Sequence, residues 1–301
     1  MRLIETCCAA AFSLVALTAS AEAQTPATDA VPAARARTLT RFAEATSVQL
    51  RDMAAFVRVI PENRTDVAVG IVNQGVLRAP EYRLSRRRLI IDGKMRRQIR
   101  GCRVVGSDGF EVQTARHGRL SGAQLPVIEL HVPQAAVISG SGALRLRMGP
   151  AQSATIGLDG CGDADIERVE NEAEIAVSGR HDVRLYEAGS ATIALAGAGD
   201  IIVGVVRNGL TLSVAGAGDF TAARADGPTS IAIQGAGDVT IRDGRASTLS
   251  VVITGGGDVT HNGSAEGLDA VILGGGDVRV RRVDGEVNRR VLGGGEVTVG
   301  R

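Results

Sequence analysis

The chain has 301 residues, with 34 Lys plus Arg against 33 Asp plus Glu, 39 Gly, five Phe, two Tyr and no Trp. Its 44% hydrophobic content excludes a disordered chain, and glycine without a Gly-X-Y period excludes collagen; since each helical glycine costs about 1 kcal/mol, the prior is all-β. A formal charge of +1 makes no global case for nucleic acid or a membrane surface, so any charge argument must be local.

Residues 1–23 read as a cleaved signal peptide. Arg2 precedes a stretch from Cys7 to Ala19 in which only Ser13 and Thr18 are polar, followed by the small-x-small site Ala21-Glu22-Ala23. A bilayer span needs roughly 20 apolar residues, so this stretch is too short, and no later segment qualifies. A lipoprotein anchor at Cys7 or Cys8 is the alternative, but Glu5 and Thr6 stand where an apolar and small approach would be required. The expected mature chain, about 278 residues long, is periplasmic or secreted, with no transmembrane segment. Residues 24–43, with Pro26 and Pro32, read as a linker. Cleavage leaves Cys102 and Cys161 as a possible disulfide in an oxidising compartment, the other reading being two buried thiols.

Residues 44–139 read as an irregular β region, either continuous with the repeat that follows or a cap on its first edge. Its strands include Phe56-Val57-Arg58-Val59-Ile60, Val67-Ala68-Val69, Leu89-Ile90-Ile91 and Val127-Ile128-Glu129-Leu130. From Glu81 to Arg119 there are eleven basic and four acidic residues, a local charge of +7. Arg86, Arg87, Arg88, Arg96 and Arg97 are the candidate anion-binding residues, for an envelope polymer such as lipopolysaccharide or an acidic glycan. Nucleic acid is disfavoured because export removes the protein from it and aromatic stacking partners are scarce. The competing reading is a solvated strand face whose Arg residues pair with acids of the repeat.

Residues 140–301 are built on one tetrad. Gly140-Ser141-Gly142-Ala143, Gly160-Cys161-Gly162-Asp163, Gly179-Arg180-His181-Asp182, Gly197-Ala198-Gly199-Asp200 and five more, ending at Gly293-Gly294-Gly295-Glu296, start 20, 19, 18, 19, 19, 20, 19 and 19 residues apart. Alternating runs such as Val239-Thr240-Ile241 and Leu249-Ser250-Val251-Val252-Ile253 lie between tetrads and mark half-buried strands. Nineteen extended residues trace about 60 Å, which fits one coil of a parallel β-solenoid whose coils stack about 4.8 Å apart. Helical repeats fail for want of a 3.6-residue period, and a calcium β-roll would need its glycine-aspartate run twice per unit. The tetrad glycines are expected at φ > 0, at a corner where side chains would collide with the neighbouring coil. His181, at a third tetrad position, is expected to mark a bulged or outward corner.

The fourth position forms a file: Asp163, Asp182, Asp200, Asp219, Asp238, Asp258, Asp277 and Glu296. Carboxylates 4.8 Å apart repel, by roughly 1 kcal/mol in water, so something must compensate. A structural role is expected, each Asp accepting N–H groups of its own glycine turn. A line of calcium sites is the alternative, disfavoured because calcium takes six or more oxygens and each unit supplies one regular carboxylate.

The tetrads, with Leu130-His131-Val132-Pro133 leading into Ile138-Ser139-Gly140-Ser141-Gly142 and the early Phe56-Val57-Arg58-Val59-Ile60-Pro61, resemble the bacterial family called putative auto-transporter adhesin, head GIN domain. The resemblance implies a right-handed parallel β-helix at the cell envelope, adhesion as the family's suggested role, and no catalytic residues to carry over. The chain ends inside its last coil without the membrane barrel of an autotransporter, so self-export is not expected. The overall expectation is a non-enzymatic, adhesin-like or scaffold solenoid of the envelope, with no cofactor. The alternative is a polysaccharide lyase or hydrolase on a β-helix scaffold, for which the paired carboxylates of a cleft and aromatic platforms are not evident.

Overall fold

The computed structural model describes residues 38–106 and 109–300; the residues read as a signal peptide and most of those read as a linker lie outside them. It is nearly all strand, a β-solenoid of about nine turns with coils of roughly 19 residues. Within β11 (Ser153–Leu195) and the strands that follow, inward and outward positions alternate with period two, as side chains on a pleated strand must. Parallel registers such as Ile138↔Ile156, Leu212↔Ile231, Ile231↔Val251 and Val251↔Ala270 place like residues over like.

The inward side chains form files along the rod. One runs Leu185, Val203, Ala222, Ile241, His261, Val280; another runs Leu195, Val214, Ile233, Ile253, Ile272. Burying each Val, Leu or Ile contributes about 1.5–3 kcal/mol, so the rod is held by repetition and not by one large centre.

The stacking order departs from chain order at the first end. Strands β1 (Leu39–Phe42), β2 (Ser47–Glu62), β3 (Val67–Asn73), β4 (Glu81–Ser85) and β5 (Arg88–Asp92) precede an excursion that returns as β9 (Val127–Pro133) and β10 (Ala135–Met148). β2 pairs with β10 on one side and with both β5 and β9 on the other. The terminal layer is thus assembled from β5 and β9, and the earliest long strand lies second. Both halves of that layer are covered by antiparallel strands, β4 on β5 and β3 on β9, with β1 on β3. Antiparallel cover removes an open parallel edge that would otherwise template association.

The excursion contains β6 (Ile99–Val105), β7 (Gly109–Thr114) and β8 (Gly118–Ser121), an antiparallel sheet of three strands. This flap folds over the outer face of the solenoid and creates a second core. Phe110 and Val112 meet Phe56, Ala54 and Ala143, with the Phe56 and Phe110 rings edge to face at 5.8 Å. Cys102 on β6 and Cys161 on β11 are joined, closing 59 residues of chain; the chain-entropy model values such a link at about 4 kcal/mol.

The glycine corners obey two different rules. Gly142, Gly160, Gly162 and Gly179 have the expected positive φ. From Gly197 onward the tetrad glycines do not, and their requirement is proximity alone: a Cβ on Gly216 would fall 1.8 Å from the carbonyl oxygen of Gly197, one coil earlier. Middle positions such as Gly256 face open space.

Candidate functional site

From Asp182 to Asp277 each carboxylate of the acidic file reaches across coils. Asp182 Oδ1 accepts the backbone N–H of Asp200 at 3.0 Å, Asp200 that of Asp219 at 3.0 Å, and Asp219 that of Asp238 at 2.9 Å. The series continues through Asp258, Asp277 and Glu296 at 2.8 Å each. This corrects the expectation that each Asp would cap its own turn. Where the chain turns the corner, the side chain takes the place of one rung in the parallel ladder, and Arg279 adds charge compensation at Asp258 and Asp277. Among the described residues no group of three or more His, Cys, Asp or Glu side chains could hold a metal ion.

Asp163 leaves the file. Its register partner is Arg145, the two form a buried ion pair beneath the flap, and both are about 2% exposed. Burial raises the Asp163 carboxyl to about 6, with Arg145 opposing the shift, so it stays ionised at neutral pH. Arg147 and Arg184 flank Asp165 at 3.7 and 3.6 Å, and Arg58 meets Glu129 at 2.5 Å in the same outward charge ladder. Arg145 was not legible as an interior cation, because its burial depends on elements distant in sequence, Phe56 of β2 beside it among them.

His181 is the second correction. Its side chain points inward and is fully buried, and no hydrogen-bond partner reaches either ring nitrogen. Burial lowers it to about 4, against a smaller opposing effect of Asp159. His261, inward in its own file, is likewise buried without partners and lowered chiefly by burial. Neutral imidazole here acts as a space-filling group.

The candidate anion-binding arginines fall into two groups. Arg86 and Arg87 form the β4–β5 turn with φ of 49° and 64°, and Arg88 opens β5. Arg96 and Arg97 lie beyond the far end of β5; the strand alone separates the groups by about 13 Å. Arg96 and Arg97 line a cleft of about 570 Å³ between the flap and the glycine corners, together with Arg100, Arg103 and Arg180; Asp52 and Asp182 also line it, five cations against two carboxylates, and Cys102 and Cys161 are part of its wall. Arg103 is engaged by Glu111 at 2.6 Å. Among the described residues Arg96, Arg97, Arg100 and Arg180 have no carboxylate within 4.0 Å. Arg180 joins them from a tetrad, where its only sequence signal was a large cation in place of Ser, Cys, Ala or Gly.

Fold and site together define a parallel β-solenoid with a disulfide-tethered flap over a basic cleft. A family model described as "Putative auto-transporter adhesin, head GIN domain" matches residues 89–204 and 205–300, and the chain belongs to that family. No curated protein matches the sequence. Among solved structures the chain is similar to a "putative adhesin" from Parabacteroides distasonis ATCC 8503, at 13% identity and TM-score 0.54, covering 87% of this chain and 95% of the other. That likeness shows the fold. A "putative lipid binding protein" from the same organism aligns at 16% identity and TM-score 0.48, covering 88% and 96%.

Proposed function

We propose that this protein is an exported, non-enzymatic component of the bacterial envelope, an adhesin-like solenoid that holds an anionic surface polymer in the cleft of Arg96, Arg97, Arg100 and Arg180. The observation that carries the reading is the excess of arginine in this cleft, five against Asp52 and Asp182, four of them making no ion pair among the described residues. Guanidinium is weakly hydrated and matches carboxylate, sulfate and phosphate oxygens two at a time, so an open cleft rich in such groups favours a polyanion. Arg86–Arg88 provide a second basic point at the other end of β5. A polymer reaches both; a small ion does not. The family's adhesin designation and the export signal read in residues 1–23 support an envelope setting.

The test is binding of labelled lipopolysaccharide and of polygalacturonate to the full chain across a salt series. The triple variant R96A/R97A/R100A is expected to lose about tenfold or more in affinity and to flatten the salt dependence, and R86A/R87A/R88A to lose less. Unchanged binding by the first variant, at an unchanged melting temperature, overturns the assignment.

A further inference from the structure

A second groove, of about 1000 Å³, opens where the outward faces of β2, β10 and β11 run toward Pro61 and Pro150. Tyr186, one of the chain's two tyrosines, stands in it with 59% of its surface exposed. The backbone explains why the ring stays uncovered. One coil on, between the paired Val203 and Val205, the position is Gly204, and a Cβ there would fall 2.1 Å from the Tyr186 carbonyl oxygen. The next coil supplies only Ala223, between Ala222 and Arg224. Toward the later coils, therefore, only bare backbone and one methyl group lie beside the phenol.

The charges around the ring differ from those of the basic cleft. The groove is lined by Arg58, Arg147 and Arg168 and by Asp165, Glu167 and Glu187, three of each sign. Arg58 meets Glu129 at 2.5 Å, Arg147 meets Asp165 at 3.7 Å, Arg168 meets Glu170 at 2.9 Å, and Glu187 is bonded by Arg207. Ion pairing holds these donors and acceptors in place and leaves no net field to draw a polyanion. We infer that this groove binds a neutral saccharide chain, with a sugar ring stacked on Tyr186 and its hydroxyls hydrogen-bonded by the surrounding carboxylates and guanidinium groups. A pyranose has an apolar C–H face, many hydroxyls and no charge; the site offers an aromatic surface, fixed polar partners and no net charge.

The experiment titrates the full chain with maltohexaose, cellohexaose and chitohexaose, read by calorimetry and by tyrosine emission, which no tryptophan obscures. At least one glycan is expected to bind saturably with an affinity insensitive to salt. Y186A is expected to weaken it about tenfold, while Y186F and Y82F retain it. R96A/R97A/R100A is expected to bind as the parent does, which separates this site from the basic cleft. Absence of saturable binding by all three at millimolar concentrations, wild-type affinity in a folded Y186A, or a steep loss of binding with salt overturns the inference.

Discussion

Asp219 Oδ1 accepts the backbone N–H of Asp238 at 2.9 Å, and the carbonyl oxygen of Asp238 in turn accepts the N–H of Phe220 at 2.8 Å. The two bonds close a small ring between adjacent coils at the corner, where the backbone alone would leave one N–H unpaired. A charge-assisted bond of this kind offsets the repulsion along the acidic file, because each carboxylate faces an amide dipole as well as its neighbours.

The acceptor, and not the charge, is then what the corner requires. Asp219→Asn keeps a carbonyl oxygen at the same place, whereas Asp219→Ala removes it. The alanine variant is expected to lose about 1 kcal/mol and the asparagine variant less than half as much, measured by urea unfolding. Equal losses would show that the rung is immaterial.

Glycines at the first and second positions of the tetrads should respond oppositely to a methyl group. Gly216→Ala drives a Cβ into the Gly197 carbonyl and is expected to cost about 3 kcal/mol or to block folding, while Gly256→Ala meets nothing within 4 Å and is expected to be neutral or slightly stabilising. Melting temperatures of the two variants check this, and similar losses at both positions would count against corner-on-corner stacking.

Acid should loosen the rod through its interior histidines. His181 is held at about 4, below the ordinary value of 6.5 that it regains on unfolding, so the unfolded state binds more protons between these limits. Stability is therefore complete above pH 6.5 and falls as pH drops toward 4, with a loss at pH 5 of about 2 kcal/mol from this residue. His261, also lowered, acts in the same direction. Asp163, raised to about 6, acts oppositely, favouring the fold as pH falls from 6 to 3.8. A comparison isolates the histidine: His181→Leu, which removes no hydrogen bond, is expected to match the parent at pH 7 and to exceed it at pH 5. Identical acid slopes for the two proteins would refute this account.

The Arg145–Asp163 pair beneath the flap should be costly to break and cheap to replace. Arg145→Met leaves a carboxylate buried without its partner and is expected to lose about 3–5 kcal/mol, whereas Arg145→Met with Asp163→Leu is expected to recover most of it. Denaturant titration of the single and double variants measures the coupling, and additive losses would place the pair in water.

Much of the architecture was legible because it rests on local rules repeated in register. Period-two alternation in runs such as Leu249–Ile253 marks the inward face, and tetrads about 19 residues apart mark a corner that recurs in each coil. The acidic file followed from the same count, though not its donors. An N–H one coil away is invisible to a reading that looks for partners in the nearest turn.

The sequence by itself determined the coil length, the inward files and the places where a side chain cannot stand, since these follow from backbone geometry shared by every turn. Only the tertiary structure decided that β2 lies between β10 and a first layer assembled from β5 and β9, that Arg145 and Asp163 are buried, that His181 points inward, and that Arg180 joins Arg96, Arg97 and Arg100 across one cleft. These juxtapositions unite segments tens of residues apart that share no period. Their cause is the packing of an irregular excursion onto a regular rod, which no local pattern encodes.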